Sequence, residues 1–479
     1  MDRSSQPPPL PQLLQQAQYA YDQRDYHQAG SLYTQLLELG YQKADIFYKR
    51  ANIYRYTRHH DLAIADYQQA IEIAPNEASY YMGRGNSYYQ QKQYAPAIAD
   101  YSQALALKPD YVNARFNRGR AYSEHGELAL ALVDFEALLT VDPTDDAVYY
   151  NRGQIQAMLE NYSEAATDFK QALALNPDNI FALIGRAGCC AVLGDLAGAV
   201  EDYKAALQID GYDAGVLTGR GLVYYQQGRY DMAIADYSQA IQVAPQNLQL
   251  RLQRGAAYSQ TGQAEAALAD YAEAVKLDPL DARASLGRGF VYYRQNDYQR
   301  AWVNFNQAIH LDRDIASAYV GRGDAYHKLG EADNALADYQ HAITLDEGQT
   351  QAWLGQGNIH YQQRQYQQAV SAYTKLLKFD PNNAVAYYNR ANSYAAMQEI
   401  PAAIEDYQQA SRLAPHDAAI FYNLACLQCR QGQIEATLDS LQQVLQLAQP
   451  NIGLTEILVD PDFEPLRSDI RFRALLGNE

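Results

Sequence analysis

An all-α array of stacked antiparallel helix pairs, an α-solenoid, is the fold class this sequence predicts, on three observations. An arginine recurs every 34 residues, at 50, 84, 118, 152, 186, 220, 254, 288, 322 and 390. An alanine lane runs in phase with it, from 29, 63 and 97 through to 403. Proline punctuates the same period at 75, 109, 143, 177, 245, 279, 381 and 415. Self-similarity at this period marks an array in which each repeat exposes an apolar stripe that only its neighbour can cover.

The chain opens on "MDRSSQPPPLPQ", which is polar and proline-rich. It lacks the basic start and apolar run of a secretory signal, so residues 1–9 read as a short disordered lead. Thirteen repeats follow over residues 10–451. In the third, Tyr81, Gly85 and Tyr88 share one helical stripe, and Tyr94, Ala97, Tyr101 and Ala104 share another. Between them stands a turn. Six repeats place glycine there, at 126, 194, 228, 262, 330 and 432, as the positive φ of a helix end favours. Pro96 and Pro401 fall in the first turn of a second helix, where a missing N–H costs little. The prolines near the end of each repeat stop that helix. Residues 452–479 break the period and read as capping helices. Phe463, Leu466, Phe472 and Leu475 would cover the last stripe, with Arg467, Asp469, Arg471 and Arg473 facing water.

Composition narrows the function. Hydrophobic residues make up 48%, enough for a core. Net charge is −18, which argues against a nucleic-acid partner, because phosphate neutralisation needs clustered Lys and Arg. No apolar run is long enough to cross a bilayer, so no direct membrane insertion is expected. Four cysteines are too few for a disulfide scaffold, and the expected compartment is cytoplasmic.

The small residue at 85, aromatic at 88, alanine at 97, aromatic at 101, alanine at 104 and proline at 109 resemble the tetratricopeptide repeat. The resemblance covers about nine-tenths of the chain and rests on thirteen repeats in phase. It implies a right-handed α-solenoid superhelix of more than one turn. Its concave groove would be lined mainly by the first helix of each repeat.

With Arg84 at position 7 of its repeat, Asp100 is position 23. The two are equidistant from the turn at position 15, each about 12 Å from the hairpin tip at 1.5 Å per residue. An antiparallel pair brings them level. The same pair recurs as Arg50 and Asp66, Arg118 and Asp134, and Arg152 and Asp168. The repeats lacking Arg at position 7 (Gln16, Gln356, Leu424) also lack Asp at 23 (Leu32, Ala372, Ser440). Pairing within a repeat is therefore expected, as a structural ion-pair ladder that fixes hairpin register. Arg288 faces Asn304 instead, which can still accept a hydrogen bond. The family pattern has an apolar residue at position 7, so this chain is a variant.

The resemblance places inward-facing side chains at positions 2, 5, 6, 9, 12 and 13. The cations there are Lys49, Arg55, Arg120, Arg283, Arg294, Lys328 and Arg430; the anions are Asp22, Asp45, Glu124 and Asp324. The groove is thus net +3 inside a chain of −18. The candidate peptide-binding residues are Asn52, Asn86, Tyr89, Asn117, Arg120, Asn151, Tyr225, Tyr293, Asn358, Tyr361, Asn389, Asn392 and Asn423. Amides can bond a peptide backbone and flat rings can stack on it. The competing reading is that tyrosines at positions 5 and 12 only pack between helices. The family's clamp for a C-terminal carboxylate needs lysines where this chain has Met82, Leu354, Ala147 and Ala419, so that clamp is absent.

"CLQC", Cys426 to Cys429, has the spacing of redox and zinc sites, but no further ligands complete a tetrahedron. The two thiols fall at positions 9 and 12, on the groove face. No catalytic or phosphate-loop motif occurs, and carboxylates fall in lanes rather than converging pairs. The expectation is therefore a non-enzymatic scaffold or adaptor without cofactor or metal. It would hold a neutral to mildly acidic peptide or protein segment in its groove, and homo-oligomerisation stays open. The alternatives are an assembly factor for a membrane complex, or a metal or redox accessory protein using Cys426 and Cys429.

Overall fold

The computed structural model describes residues 9–211, 213–447 and 454–477. The lead at 1–8 and the join between the last repeat and the tail lie outside the described residues. Within them, helix is the sole regular structure, and the helices follow one another in pairs. First helices begin at position 1 of each repeat: Leu10, Ala44, Ala78 and onward to Ala418. Second helices begin at position 17, from Tyr26 to Ile434. The expected all-α solenoid of antiparallel pairs is what the chain forms.

The turn inside each pair has one requirement. Position 15 is left-handed in all thirteen repeats, with φ from +59° at Lys92 to +88° at Gly126. Six repeats meet it with glycine. Arg24, Arg58, Lys92, Glu160, Asn296, Arg364 and Gln398 adopt it with a Cβ, at a steric cost of about 1–2 kcal/mol each.

An aromatic ring at position 24 joins each pair to the next. A Cβ at Gly85 would lie 2.8 Å from Tyr101 Cε1, in the same repeat. A Cβ at Gly83 would lie 2.5 Å from Tyr67 Cε1, in the preceding repeat. The ring wedges against its own first helix, where position 8 is small, and in six repeats against a glycine at position 6 of the following one: 83, 185, 219, 287, 321 and 355. The alanine lane, from Ala29 to Ala403, is fully buried where the two helices of a pair cross.

First helices of successive repeats approach one another, whereas second helices do not come comparably close. Within each unit this asymmetry puts the first helices on one face and the second helices on the other. The chain divides into two units, Met1–Pro245 with seven helix pairs and Gln246–Glu479 with six pairs and the tail.

In the tail, Leu454–Val459, a 3-10 turn at Pro461–Leu466 and Ile470–Leu475 follow one another. Ile457, Phe463, Leu466, Phe472 and Leu476 are buried against Ala425, Leu441 and Val444 of the last pair. Leu475 is partly buried at the same cluster, and Arg467, Arg471 and Arg473 are exposed.

Candidate functional site

The position-7 arginines and position-23 aspartates meet within each repeat. Arg84 Nε donates to Asp100 Oδ2 at 2.8 Å and Nη2 donates to Oδ1 at 2.6 Å. The same fork joins Arg50 to Asp66, Arg118 to Asp134 and Arg152 to Asp168. It recurs at Arg186, Arg220, Arg254, Arg322 and Arg390. The aspartates are buried and the arginines half-buried. A guanidinium presents two parallel N–H groups to a carboxylate, which fixes orientation as well as distance.

The remaining nitrogen reaches out of the repeat. Arg50 Nη1 donates to Thr34 at 3.1 Å, Arg118 Nη1 to Ser102 at 3.2 Å and Arg390 Nη1 to Thr374 at 3.0 Å. Arg322 donates to Asn306 at 2.7 Å, and Arg84 to Gln68. All five acceptors are position 25 of the preceding second helix. The ladder thus clips neighbouring repeats together, a role the sequence reading did not foresee. Arg288 departs from it. Asn304 turns its amide to the Arg300 carbonyl at 2.8 Å, and position 25 of the preceding repeat is Ala272. Among the described residues no hydrogen bond reaches the Arg288 guanidinium, so the bond that Asn304 could accept is not made.

Most of the groove asparagines are engaged internally. Tyr67 donates to Asn52 at 2.7 Å, Tyr101 to Asn86 at 2.9 Å, Tyr373 to Asn358 at 2.8 Å and Tyr407 to Asn392 at 2.5 Å. Asn117 donates to Asn86 at 2.9 Å and Asn389 to Asn358 at 3.2 Å. Asn151 bonds the Ala147 carbonyl at 2.7 Å, and Asn423 the Tyr388 hydroxyl at 3.0 Å. A buried phenol needs an acceptor, and in these four repeats an asparagine at position 9 supplies it. In the tenth repeat Asp324 takes that place, accepting from Tyr339 at 2.6 Å. Burial pushes the Asp324 carboxyl up, and Tyr339 opposes this. Where position 24 is Phe135 or Phe169, position 9 is freed, and Arg120 and Gln154 stand there.

The position-12 tyrosines lean on position 17 of the same repeat, edge to face. Tyr89 meets Tyr94 at 5.6 Å, Tyr225 Tyr230 at 5.2 Å, Tyr293 Tyr298 at 5.4 Å and Tyr361 Tyr366 at 5.6 Å. Burial raises the Tyr293 phenol to about 12, with Asp324 adding to the shift. These rings are packed on one side and open to the inner face on the other; Tyr361 is 37% exposed.

Three cavities open in sequence along the first-helix face of the first unit. The first, of about 120 Å³, lies among Arg55, Asn86, Tyr89, Gln90, Asn117 and Arg120. The second, of about 270 Å³, shares Arg120 and continues to Phe116, Glu124, Tyr150 and Gln154. The third, of about 590 Å³, shares Glu124 and Tyr150 and ends on Met158, Phe169, Phe181 and Ile184. Phe181 is 65% and Met158 60% exposed. Arg120 lies over the Tyr89 ring at 5.2 Å, and Arg55 over Tyr56 at 4.4 Å. Among the described residues neither makes an ion pair. Arg55 Nε is buried and has no hydrogen-bond partner. Phe181 and Met158 were not among the residues singled out from the sequence. Large apolar side chains at inward positions 2 and 13 were the signal for them.

Cys426 and Cys429 do not face an open groove. Both are buried beneath the tail, in the cluster with Phe463 and Phe472. Cys426 Sγ lies close to carboxylate oxygens of Asp460 and Asp462, all within 4.8 Å of one another. Those carboxylates already have partners: Tyr422 donates to Asp460, and Arg430 pairs with Asp462 at 2.8 Å. Burial, with Asp460 and Asp462 nearby, pushes the Cys426 thiol well up, and Cys429 shifts the same way. Both thiols pack as part of the cluster that the tail closes over, and a raised pKa disfavours the thiolate.

Models of the tetratricopeptide repeat match residues 44–77, 147–179, 316–349 and 384–417. A third model, described as TPR repeat, matches 85–126, a series of overlapping spans from 192 to 330, and 357–398. Together they cover more than half of the chain. A search of curated proteins finds no match. Among solved structures, the Cut9–Hcn1 hetero-tetramer of the APC/C aligns at 14% identity and a TM-score of 0.44, over 95% of this chain and 97% of that one. Yeast Tom70 aligns at 16% and 0.45, over 81% and 96%. MamA aligns at 22% and 0.32, over 33% and 92%. All three are distant from this chain in sequence.

Proposed function

Because the chain belongs to the tetratricopeptide repeat family, we propose that it is a non-enzymatic scaffold holding a protein or peptide segment on its first-helix face. The observation that carries this reading is the run of unfilled cavities from Arg55 to Phe181. Elsewhere the same lanes spend their amides and phenols on one another. Here the Arg55 Nε lacks a hydrogen-bond partner and Phe181 and Met158 are exposed, open to an occupant that could bury them. Among the described residues no helix is long and apolar enough to cross a membrane. Four free thiols, three of them buried, fit a reducing compartment, and the cytoplasm is the one proposed.

The test is site-specific photo-crosslinking in the native cell. A benzoylphenylalanine at Phe181, on the first-helix face, should trap a discrete partner band. One at Val133, exposed on a second helix, should not. Equal adducts from both positions would remove the inner face as the seat of binding.

A further inference from the structure

We propose that the first unit's face recognises a peptide bearing one acidic side chain and, about six residues away, one apolar side chain. The carboxylate sits between Arg55 and Arg120, and the apolar group enters the cavity walled by Met158 and Phe181. This deepens the scaffold reading and rests on it.

Charge points to the occupant of the first cavity. The chain carries 56 acidic against 38 basic residues. Two guanidinium groups sharing one cavity without a carboxylate are therefore unexpected by composition. Arg55 is half-buried, with its Nε unpartnered, and the Asn86 and Asn117 amides line the same space. Arg120 stands at position 9, where other repeats place the acceptor for a tyrosine; its own repeat carries Phe135 and needs none. A carboxylate entering here would meet charge-assisted donors in a partly desolvated site.

The direction of the gradient is set by Glu124. It lines the second and third cavities and accepts from Tyr94 at 3.5 Å. A second acid would be repelled there, so the acid belongs at the arginine end. The far cavity offers exposed Phe181 and Met158 beside Tyr150, whose ring lies 6.3 Å from Phe181. The two cavities are two repeats apart. Neighbouring helix axes lie about 10 Å apart, so the separation is about 20 Å. An extended peptide spans that in about six residues.

The probe is a fluorescein-labelled ten-residue peptide, glutamate second and leucine eighth, with serine and glycine elsewhere, together with its reversed-order counterpart. Each is paired with a version carrying glutamine for glutamate, and anisotropy is read with the full chain. In one order the glutamate peptide should bind about tenfold tighter than its glutamine twin, since charge-assisted bonds outweigh neutral ones. That advantage should shrink as salt is raised. Arg55→Gln and Arg120→Gln should each bring the ratio close to one, with the circular dichroism spectrum showing that the fold is kept. Phe181→Ala should weaken both peptides alike. Equal affinity of the twins in both orders overturns the acidic subsite and leaves the scaffold reading standing. No binding by any of the four at millimolar concentration also overturns the inference, and the crosslinking comparison then judges the scaffold reading by itself.

Discussion

The two units carry the same lanes of inward residues but use their guanidinium groups differently. In the second unit Arg283 forks onto Asp281 at 2.6 Å and donates to Gln249 at 2.7 Å. Arg294 donates to the Ser259 carbonyl at 2.8 Å, and Arg430 pairs with Asp462. In the first unit Arg55 and Arg120 make no ion pair. A lane position thus says little about function until its partner is known. An arginine paired with a carboxylate is mortar, and one without such a pair keeps its charge uncompensated.

The comparison can be broken most severely through the ladder. Asp134→Ala leaves the half-buried Arg118 without its carboxylate, and about 3 kcal/mol of stability should be lost in urea unfolding. Asp338→Ala should cost a similar amount in the second unit while leaving affinity for the acidic peptide intact. Loss of that affinity would mean the two faces are not independent. Next in size, Arg294→Gln should leave the glutamate-to-glutamine preference untouched, where Arg120→Gln removes about tenfold. Asn304→Asp sharpens the picture from the other side. It offers Arg288 the missing carboxylate, and a gain of about 1 kcal/mol is expected. No change would show that Arg288 is already satisfied by water.

Asp324 tests the tyrosine lane through pH. Its folded-state carboxyl is raised by burial above its unfolded value. The folded form therefore holds its proton longer. The associated stability is complete below the unfolded carboxyl range and falls as pH rises through the folded one. Asp324→Asn should remove that slope, matching wild type in acid and exceeding it near neutrality in thermal melts. A constant offset at all pH values would rule out the titration. The smallest expected effect is Lys92→Gly, which relieves a left-handed Cβ at the entropic cost of glycine, for a net gain of about 0.5 kcal/mol.

Much of this was readable before any coordinates. The 34-residue period places the helix starts of the thirteen pairs, and equal distance from the turn brings Arg84 level with Asp100. The cross-repeat bond from Nη1 was hidden because its acceptors, Thr34, Gln68, Ser102 and Asn306, share hydrogen-bonding capacity without sharing a residue type. The Tyr–Asn lane was open to view in the alternation of positions 9 and 24, yet the amides were assigned to a ligand. The tail is aperiodic, so nothing in the repeat pattern announced that it would close over Cys426 and Cys429. Cavities depend on side chains that fail to meet, and a pattern of types records only what is present.

Clips of this kind are missing among the described residues at the joints between the fifth, sixth and seventh repeats. Arg50, Arg84 and Arg118 fasten the first four repeats in series. Lys170 and Lys204 occupy the matching positions before Arg186 and Arg220, and among the described residues no such bond forms there. A chain of nearest-neighbour couplings gives way at its weakest joint rather than melting as one body. Amide protons around the fifth to seventh helix pairs should therefore exchange sooner than those of the first four, like a zipper with teeth missing toward one end. The apolar end of the run of cavities borders that looser stretch, so a change of spacing between helix pairs there would reshape the cavity walled by Met158 and Phe181.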